Sequence, residues 1–156
     1  MTTQFPKSVA VAIGTLAFVA FFVLFGTVIN ARAASFGEDE GGQMFTHNGS
    51  LMRMVTLPYG RGIEIRYEEP RPGLQDVGVR QGTVLFRGNW RGDTLVGQAL
   101  TFPNGCRSVP YEVKGYVGRY GEIILEGMAP VVRPYSCVFV GWERNHNSYL
   151  RFDPAA

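Results

Sequence analysis

Four short segments each place an aromatic residue beside an arginine, and they are the best candidates for a recognition surface. Aromatic faces stack on sugar rings, and the guanidinium group binds carboxylate or phosphate in a fixed planar geometry. Trp, Tyr and Arg also dominate protein–protein hot spots. Alternatively, the arginines stack on aromatic rings that cap the fold, and the pairs only stabilise it. The four pairs are Tyr59 with Arg61, Trp90 with Arg91, Arg119 with Tyr120, and Trp142 with Arg144.

The two histidines, His47 and His146, are each flanked by asparagine. We expect them at opposite ends of the fold, because His47 precedes the first predicted strand and His146 lies in the last predicted turn. Both are interpreted as polar surface residues of turns. Since Cys106 and Cys137 do not form a Cys-x-x-Cys pair either, no metal and no other cofactor is predicted.

Nothing in the sequence has the pattern of a catalytic site. Gly-x-Ser-x-Gly, His-Glu-x-x-His and a glycine-rich phosphate loop are all missing. The acidic clusters are residues 38–40, in a glycine-rich tether, and Glu68 with Glu69 at the end of a predicted strand. Neither offers the buried carboxyl pair with separated pKa values that acid–base catalysis uses. The sequence therefore predicts a protein without enzymatic activity.

The aromatic–arginine pairs must be positioned by the secondary structure around them. The sequence shows short runs with β-strand character, broken by Gly, Pro and Asn. In the clearest run, residues 63–68, apolar and charged side chains alternate strictly. Glycines at 97, 115 and 127 lie inside other runs, where they permit the sharp coiling of a closed barrel. The predicted strands are residues 51–57, 63–68, 83–87, 94–102, 111–117, 122–128, 137–142 and 148–153.

The connections between these runs predict how the strands are arranged. Short turns at 58–62, 88–92, 118–121 and 143–147 alternate with longer, proline-containing connections at 69–81, 103–110 and 129–136. This alternation indicates four hairpins in series, which close most economically as an eight-stranded up-and-down antiparallel barrel. A β-sandwich is the alternative architecture. In the barrel, all four aromatic–arginine pairs would lie around one end.

The same assignment predicts the barrel interior. Bulky side chains at alternate positions are expected to fill it, leaving no large internal pocket. They are Ile63, Ile65, Val138, Val140, Leu150 and Phe152.

Cys106 and Cys137 are expected to form a disulfide, because an even cysteine count in an exported chain indicates pairing. The barrel permits this bond, since Cys106 lies in one long connection and Cys137 directly follows another. A pair of buried free thiols is the alternative.

The N-terminal segment predicts where the domain resides. Residues 9–29 form an uncharged apolar run that follows Lys7 and precedes small residues around Ala33. Such a segment is typical of a signal peptide, and it is also long enough to span a bilayer as a helix. We expect residues 1–34 to be a signal peptide or an N-terminal helical membrane anchor, residues 35–46 a flexible acidic and glycine-rich linker, and residues 47–156 the barrel domain.

In either case the domain is expected outside the cytoplasm: in the periplasm, secreted, or anchored in the inner membrane and facing the periplasm. The formal net charge of +2 comes from Lys7 and Arg32, so the remainder of the chain has no net charge. No binding to nucleic acid is expected from such a domain.

Several stretches resemble short exported proteins of unknown function from alphaproteobacteria. The resemblance covers most of the chain after residue 45 and implies a secreted or periplasmic setting, with no activity and no site residues. It depends on residues 47–52 (HNGSLM), 63–67 (IEIRY), 70–74 (PRPGL), 82–86 (GTVLF), and Cys106 with Pro110 and Tyr111.

These features predict an exported, non-catalytic binding module of the cell envelope. It would recognise an envelope glycan or an envelope protein through its aromatic–arginine turns. The alternative is a membrane-anchored structural or accessory subunit of a larger envelope complex, held in the inner membrane by residues 9–29.

Overall fold

The computed structural model describes residues 42–155, which are mostly β-strand with two single-turn 3-10 helices at Pro58–Gly60 and Gln75–Val77. Within this range no helix is long and apolar enough to cross a membrane. The strands are β1 (Gln43–His47), β2 (Ser50–Thr56), β3 (Ile63–Glu69), β4 (Val84–Arg91), β5 (Thr94–Thr101), β6 (Val109–Val117), β7 (Ile123–Gly127), β8 (Ala129–Val132), β9 (Phe139–Glu143) and β10 (Tyr149–Pro154).

Eight of these strands form a closed antiparallel barrel in the order β1-β10-β7-β6-β5-β4-β3-β2. The barrel closes where β1 pairs with β10, with Phe45 opposite Pro154. The predicted all-β class and the eight-stranded antiparallel barrel are confirmed, and the sandwich alternative is wrong. The predicted leader, residues 1–34, with its apolar helix, lies outside the described residues.

Three strands differ from the sequence prediction, and one of them, β8, lies in the stretch 129–136 that was predicted as a connection. Residues 43–46, assigned to the linker, belong to β1, which supplies the strand that closes the barrel; linker residues 35–41 lie outside the described residues. Residues 137–142 do not join the barrel, because β9 pairs with β8 in a separate two-stranded sheet. Val138 and Val140 are consequently 51% and 54% exposed, so their predicted place in the interior is wrong.

The barrel interior is filled by apolar side chains that alternate along the strands with outward-facing residues. Ile63, Ile65, Leu150 and Phe152 are buried, as predicted. They pack in one cluster with other large side chains, among them Phe45, Met52 and Phe86. These side chains fill the middle of the barrel.

Glycines bring the backbones of neighbouring strands close together. Gly88 of β4 lies opposite Gly97 of β5, and a Cβ on Gly97 would overlap the Arg87 carbonyl oxygen. A Cβ on Gly115 of β6 would likewise overlap the carbonyl oxygen of Ile124. The strands can approach this closely only because these positions have no side chain.

The outer wall of the barrel contains a buried carboxylate held by two arginines. Glu64 is 1% exposed, and Nε of Arg66 and Nε of Arg87 donate to its two oxygens at 2.6 and 2.5 Å. Desolvation by burial alone would raise the pKa of Glu64. The hydrogen bonds and positive charges of the two arginines outweigh it, so the pKa lies below its usual value.

A Glu64→Gln variant is therefore expected to unfold at lower urea concentration at neutral pH, with a loss of about 2 kcal/mol. Because the folded-state pKa is depressed, this contribution is present above the unfolded pKa and is lost as pH falls through the folded value. The deficit of the variant should thus shrink between pH 7 and pH 3. Asp153→Asn, in an exposed pair with Arg151, should leave the urea midpoint nearly unchanged. A deficit for Glu64→Gln that is equal at both pH values would contradict this assignment.

The two ends of the barrel differ in their connections. Because neighbouring strands are antiparallel, connections 57–62, 92–93 and 118–122 lie at one end, here called the turn end. The other end, the loop end, contains the connections 48–49, 70–83, 102–108 and 128–148, the last of which includes the β8–β9 hairpin.

The predicted disulfide is confirmed and lies at the loop end. Cys106 and Cys137 are bonded, with Cα atoms 5.5 Å apart. The backbone amide of Tyr135 donates to the carbonyl oxygen of Asn104 at 2.8 Å beside the bond. The tip of the β8–β9 hairpin is thereby fastened to the β5–β6 connection.

Candidate functional site

Three of the four aromatic–arginine pairs lie together at the turn end. Tyr59 with Arg61 belongs to the β2–β3 connection, Trp90 with Arg91 ends β4, and Arg119 with Tyr120 belongs to the β6–β7 connection. Within residues 42–155 no ion pair and no ring contact engages these six side chains. The alternative interpretation of these pairs, in which each arginine stacks on an aromatic ring and stabilises the fold, therefore does not apply to these three pairs.

The three aromatic rings of the turn end are exposed to different degrees. Tyr59 is 97% exposed and Tyr120 is 78% exposed, whereas Trp90 is 43% exposed. Trp90 shares a strand face with Gly88 and with the core residue Phe86, because side chains two positions apart point to the same side. Trp90 therefore lies on the core-facing side of β4, and it is the least exposed of the three rings.

The fourth pair, Trp142 with Arg144, is at the opposite end, so its predicted place beside the other three is wrong. The β8–β9 hairpin lies between β7 and β10 in the chain, and this extra hairpin places the connection after β9 at the loop end. Trp142 instead contacts Phe139 of the same strand, with ring centroids 5.4 Å apart in an edge-to-face arrangement.

The two histidines are both at the loop end, which contradicts the prediction that they lie at opposite ends. His47 is the last residue of β1 instead of a surface residue before the first strand, and His146 follows β9. Both histidines line one cavity. The error came from the β8–β9 hairpin, which places the connection containing His146 at the loop end instead of the turn end.

His47 is buried and its hydrogen bonds define its tautomer. The ring stacks on Phe152 with centroids 4.7 Å apart, and Nδ1 lies 2.8 Å from the carbonyl oxygen of Arg151. Since a carbonyl only accepts, Nδ1 has the proton, and Nε2 accepts from the Asn48 amide at 3.3 Å. Burial lowers the pKa of His47 and the charge of Arg71 lowers it further, against the bond to Arg151. The ring is therefore neutral near pH 7.

The cavity between the histidines is open at the loop end and has a volume of about 320 Å³. Strand ends form its base, and the β3–β4 connection with Arg71 forms one side. Sequence reasoning missed this site because its residues are far apart in the chain. The available signal was the alternation of Phe45 and His47, which indicates that His47 points inward at the end of a strand.

Metal binding was not expected from the sequence. In the described part of the chain, no group of three or more His, Cys, Asp or Glu side chains is arranged to hold a metal ion.

No family model matches the sequence, and neither a curated protein nor a solved structure matches it at a significant level.

Proposed function

We propose that this protein is an exported, non-catalytic binding module of the cell envelope that recognises a glycan or a protein partner through the turn end of its barrel. The main support is the common location of Tyr59, Trp90 and Tyr120, each beside an arginine. Rings as exposed as those of Tyr59 and Tyr120 contribute little to folding. They are available instead for stacking or for burial against a partner.

The disulfide between Cys106 and Cys137 is consistent with an oxidising compartment outside the cytoplasm. Within this proposal the apolar residues 9–29 act as the export signal or as an inner-membrane anchor. The resemblance to exported alphaproteobacterial proteins points to the same setting.

The turn end is tested with a Tyr59→Ala/Tyr120→Ala variant in sedimentation with purified peptidoglycan and in cross-linking to envelope proteins. We expect binding to fall at least tenfold, because truncating two central aromatic anchors typically costs about 2 kcal/mol or more. The melting temperature should change little, since both rings are exposed.

Tyr135→Ala is the matched control. Tyr135 is 79% exposed at the loop end and has φ 60°, close to the 58° of Tyr59. Substitution at the two sites therefore has a similar effect on the backbone, and Tyr135→Ala should bind like the wild type. Equal loss in the control, or a wild type that captures neither class of partner, would refute the proposed surface.

A second candidate function, an accessory subunit of a larger envelope complex, is favoured by the β8–β9 hairpin. Phe139, Val140 and Trp142 are 51–55% exposed on β9, which pairs only with β8 among the described strands. An exposed apolar strand with a free edge is typical of a surface that pairs with another chain. N-terminal sequencing of the mature protein separates the two candidates: a start at Met1 or Thr2 favours the anchored subunit, and a start near Ala34 favours the soluble binder.

A further inference from the structure

The cavity at the loop end combines an apolar base with a polar mouth. Leu85, Leu100 and Leu150 line it from the strands, and Arg71 lines it from the β3–β4 connection. Its volume, about 320 Å³, is at the small end of the range for ligand pockets. It corresponds to about ten water molecules at ~30 Å³ each. A molecule of roughly ten non-hydrogen atoms therefore fits this space.

Tyr67 has a hydroxyl group that can donate a hydrogen bond into this cavity. Its side chain is 4% exposed, and its hydroxyl has no hydrogen-bond partner within residues 42–155. No buried side-chain nitrogen or oxygen in this part of the chain is left unsatisfied, so the hydroxyl is accessible from the cavity. Burial raises the pKa of Tyr67 to about 12, against the opposing charge of Arg71. The hydroxyl is therefore a neutral donor at physiological pH.

Arg71 contributes the positive charge of the cavity. Its backbone amide donates to Oγ of Ser50 at 3.0 Å, which fixes the connection over the end of β2. The guanidinium group makes no ion pair with any described residue. Its charge acts on both His47 and Tyr67, so it lies within electrostatic reach of both.

The other polar lining groups do not offset this charge. They are hydroxyls, amides and the two histidines, and no Asp or Glu lines the cavity. His47 is neutral, and its Nε2 already accepts from Asn48. The site therefore has an arginine and a hydroxyl donor without an internal anion, a combination that suits a carboxylate and disfavours a cation.

We propose that the loop-end cavity binds a small organic monocarboxylate with an apolar body. The carboxylate accepts hydrogen bonds from the Arg71 guanidinium and the Tyr67 hydroxyl, and the apolar body packs on Leu85, Leu100 and Leu150. An inorganic anion would leave the leucine base uncovered, and a long-chain acid exceeds the volume. This site is independent of the proposed turn-end surface, because it lies at the other end of the barrel.

The test uses three probes of similar shape that differ in charge: benzoate, benzyl alcohol and benzylamine. Titration calorimetry on the full protein at pH 7 should give a submillimolar Kd for benzoate. Benzyl alcohol should bind at least tenfold more weakly, and benzylamine should not bind at 10 mM. Benzoate should also raise the melting temperature, and the shift should grow with the logarithm of its concentration above the Kd, because it binds only the folded state.

The variants assign the binding to named groups. Arg71→Gln should weaken benzoate binding at least tenfold, and Tyr67→Phe, which removes only the hydroxyl, about fivefold. Arg107→Gln is the matched control, because Arg107 is an exposed arginine at the same end that does not line the cavity. It should bind benzoate like the wild type, as should the Tyr59→Ala/Tyr120→Ala variant.

Equal affinity for benzoate and benzylamine, or no benzoate binding at 10 mM, would overturn the proposed site. So would full benzoate binding by Arg71→Gln with an unchanged melting temperature. None of these results would affect partner binding at the turn end, so the two proposals fail separately.

Discussion

A Gly115→Ala variant is expected to be largely unfolded at 37 °C. The added Cβ would overlap the Ile124 carbonyl oxygen and would lie 2.9 Å from Cα of Leu125. Both are backbone atoms of β7, so no side-chain rotation can relieve the overlap and the two strands must separate. Separation breaks ladder hydrogen bonds and opens the core, which costs about 4 kcal/mol or more. That is a large part of the total stability of a domain of this size.

Urea unfolding followed by circular dichroism measures this effect. Gly78→Ala is the control, because Gly78 has open space around its Cα and only a positive φ of 87° to disfavour alanine. It should cost about 1 kcal/mol. A Gly115→Ala protein as stable as the control would mean that β6 and β7 are not in such close contact.

Removing the disulfide with a Cys106→Ala/Cys137→Ala variant is expected to destabilise the domain by about 3 to 4 kcal/mol. The bond closes a loop that spans 31 residues of sequence, and in the chain-entropy model this restricts the unfolded ensemble. The variant should lose stability across the whole domain, because the closed loop includes β6, β7 and β8.

A local effect should accompany the global one. Without the bond, the hairpin tip is held beside the β5–β6 connection mainly by the hydrogen bond from Tyr135 to Asn104. Amide exchange at Tyr135 should therefore accelerate more than exchange in the core strands. Wild-type protein reduced with dithiothreitol should behave like the double variant. If the reduced protein has an unchanged urea midpoint, the disulfide does not stabilise the domain by lowering the conformational entropy of the unfolded chain.

The sequence predicted the parts of the fold that depend on local patterns. Strict alternation identified β3, and short turns rich in glycine identified the hairpins β2–β3, β4–β5 and β6–β7. These features require information from neighbouring residues only. The cysteine pair was predicted differently, from the even cysteine count of the chain and its expected export.

The errors concern pairings between residues far apart in the chain. β1 has five residues, and its place in the sheet comes from Phe45 packing inside a barrel that closes through β10. The residues of β9 have strong strand propensity, but local sequence does not say whether such a run joins the barrel or pairs with β8. The β8–β9 hairpin then moved Trp142 and Arg144 to the other end.

The candidate sites follow the same division. The turn-end residues Tyr59 to Arg61 and Arg119 to Tyr120 lie in local hairpins, so their common location was predictable. The cavity was not, because Tyr67 of β3, Arg71 and His146 come together only once two separate connections are in place. Arg71 supplies the main charge of the cavity, and no sequence motif around it indicates a binding role.

The closure of the barrel between β1 and β10 brings the two termini of the described chain together, since Ala155 donates from its backbone amide to the carbonyl oxygen of Met44 at 3.0 Å. Both termini therefore leave from the side of Tyr59 and Tyr120. Attachment to a sensor surface directly at residue 42 or residue 155 would crowd these tyrosines and leave the mouth of the cavity beside Arg71 accessible. A circular permutant that joins the present termini and opens the chain at Gln75–Val77 would reverse this orientation.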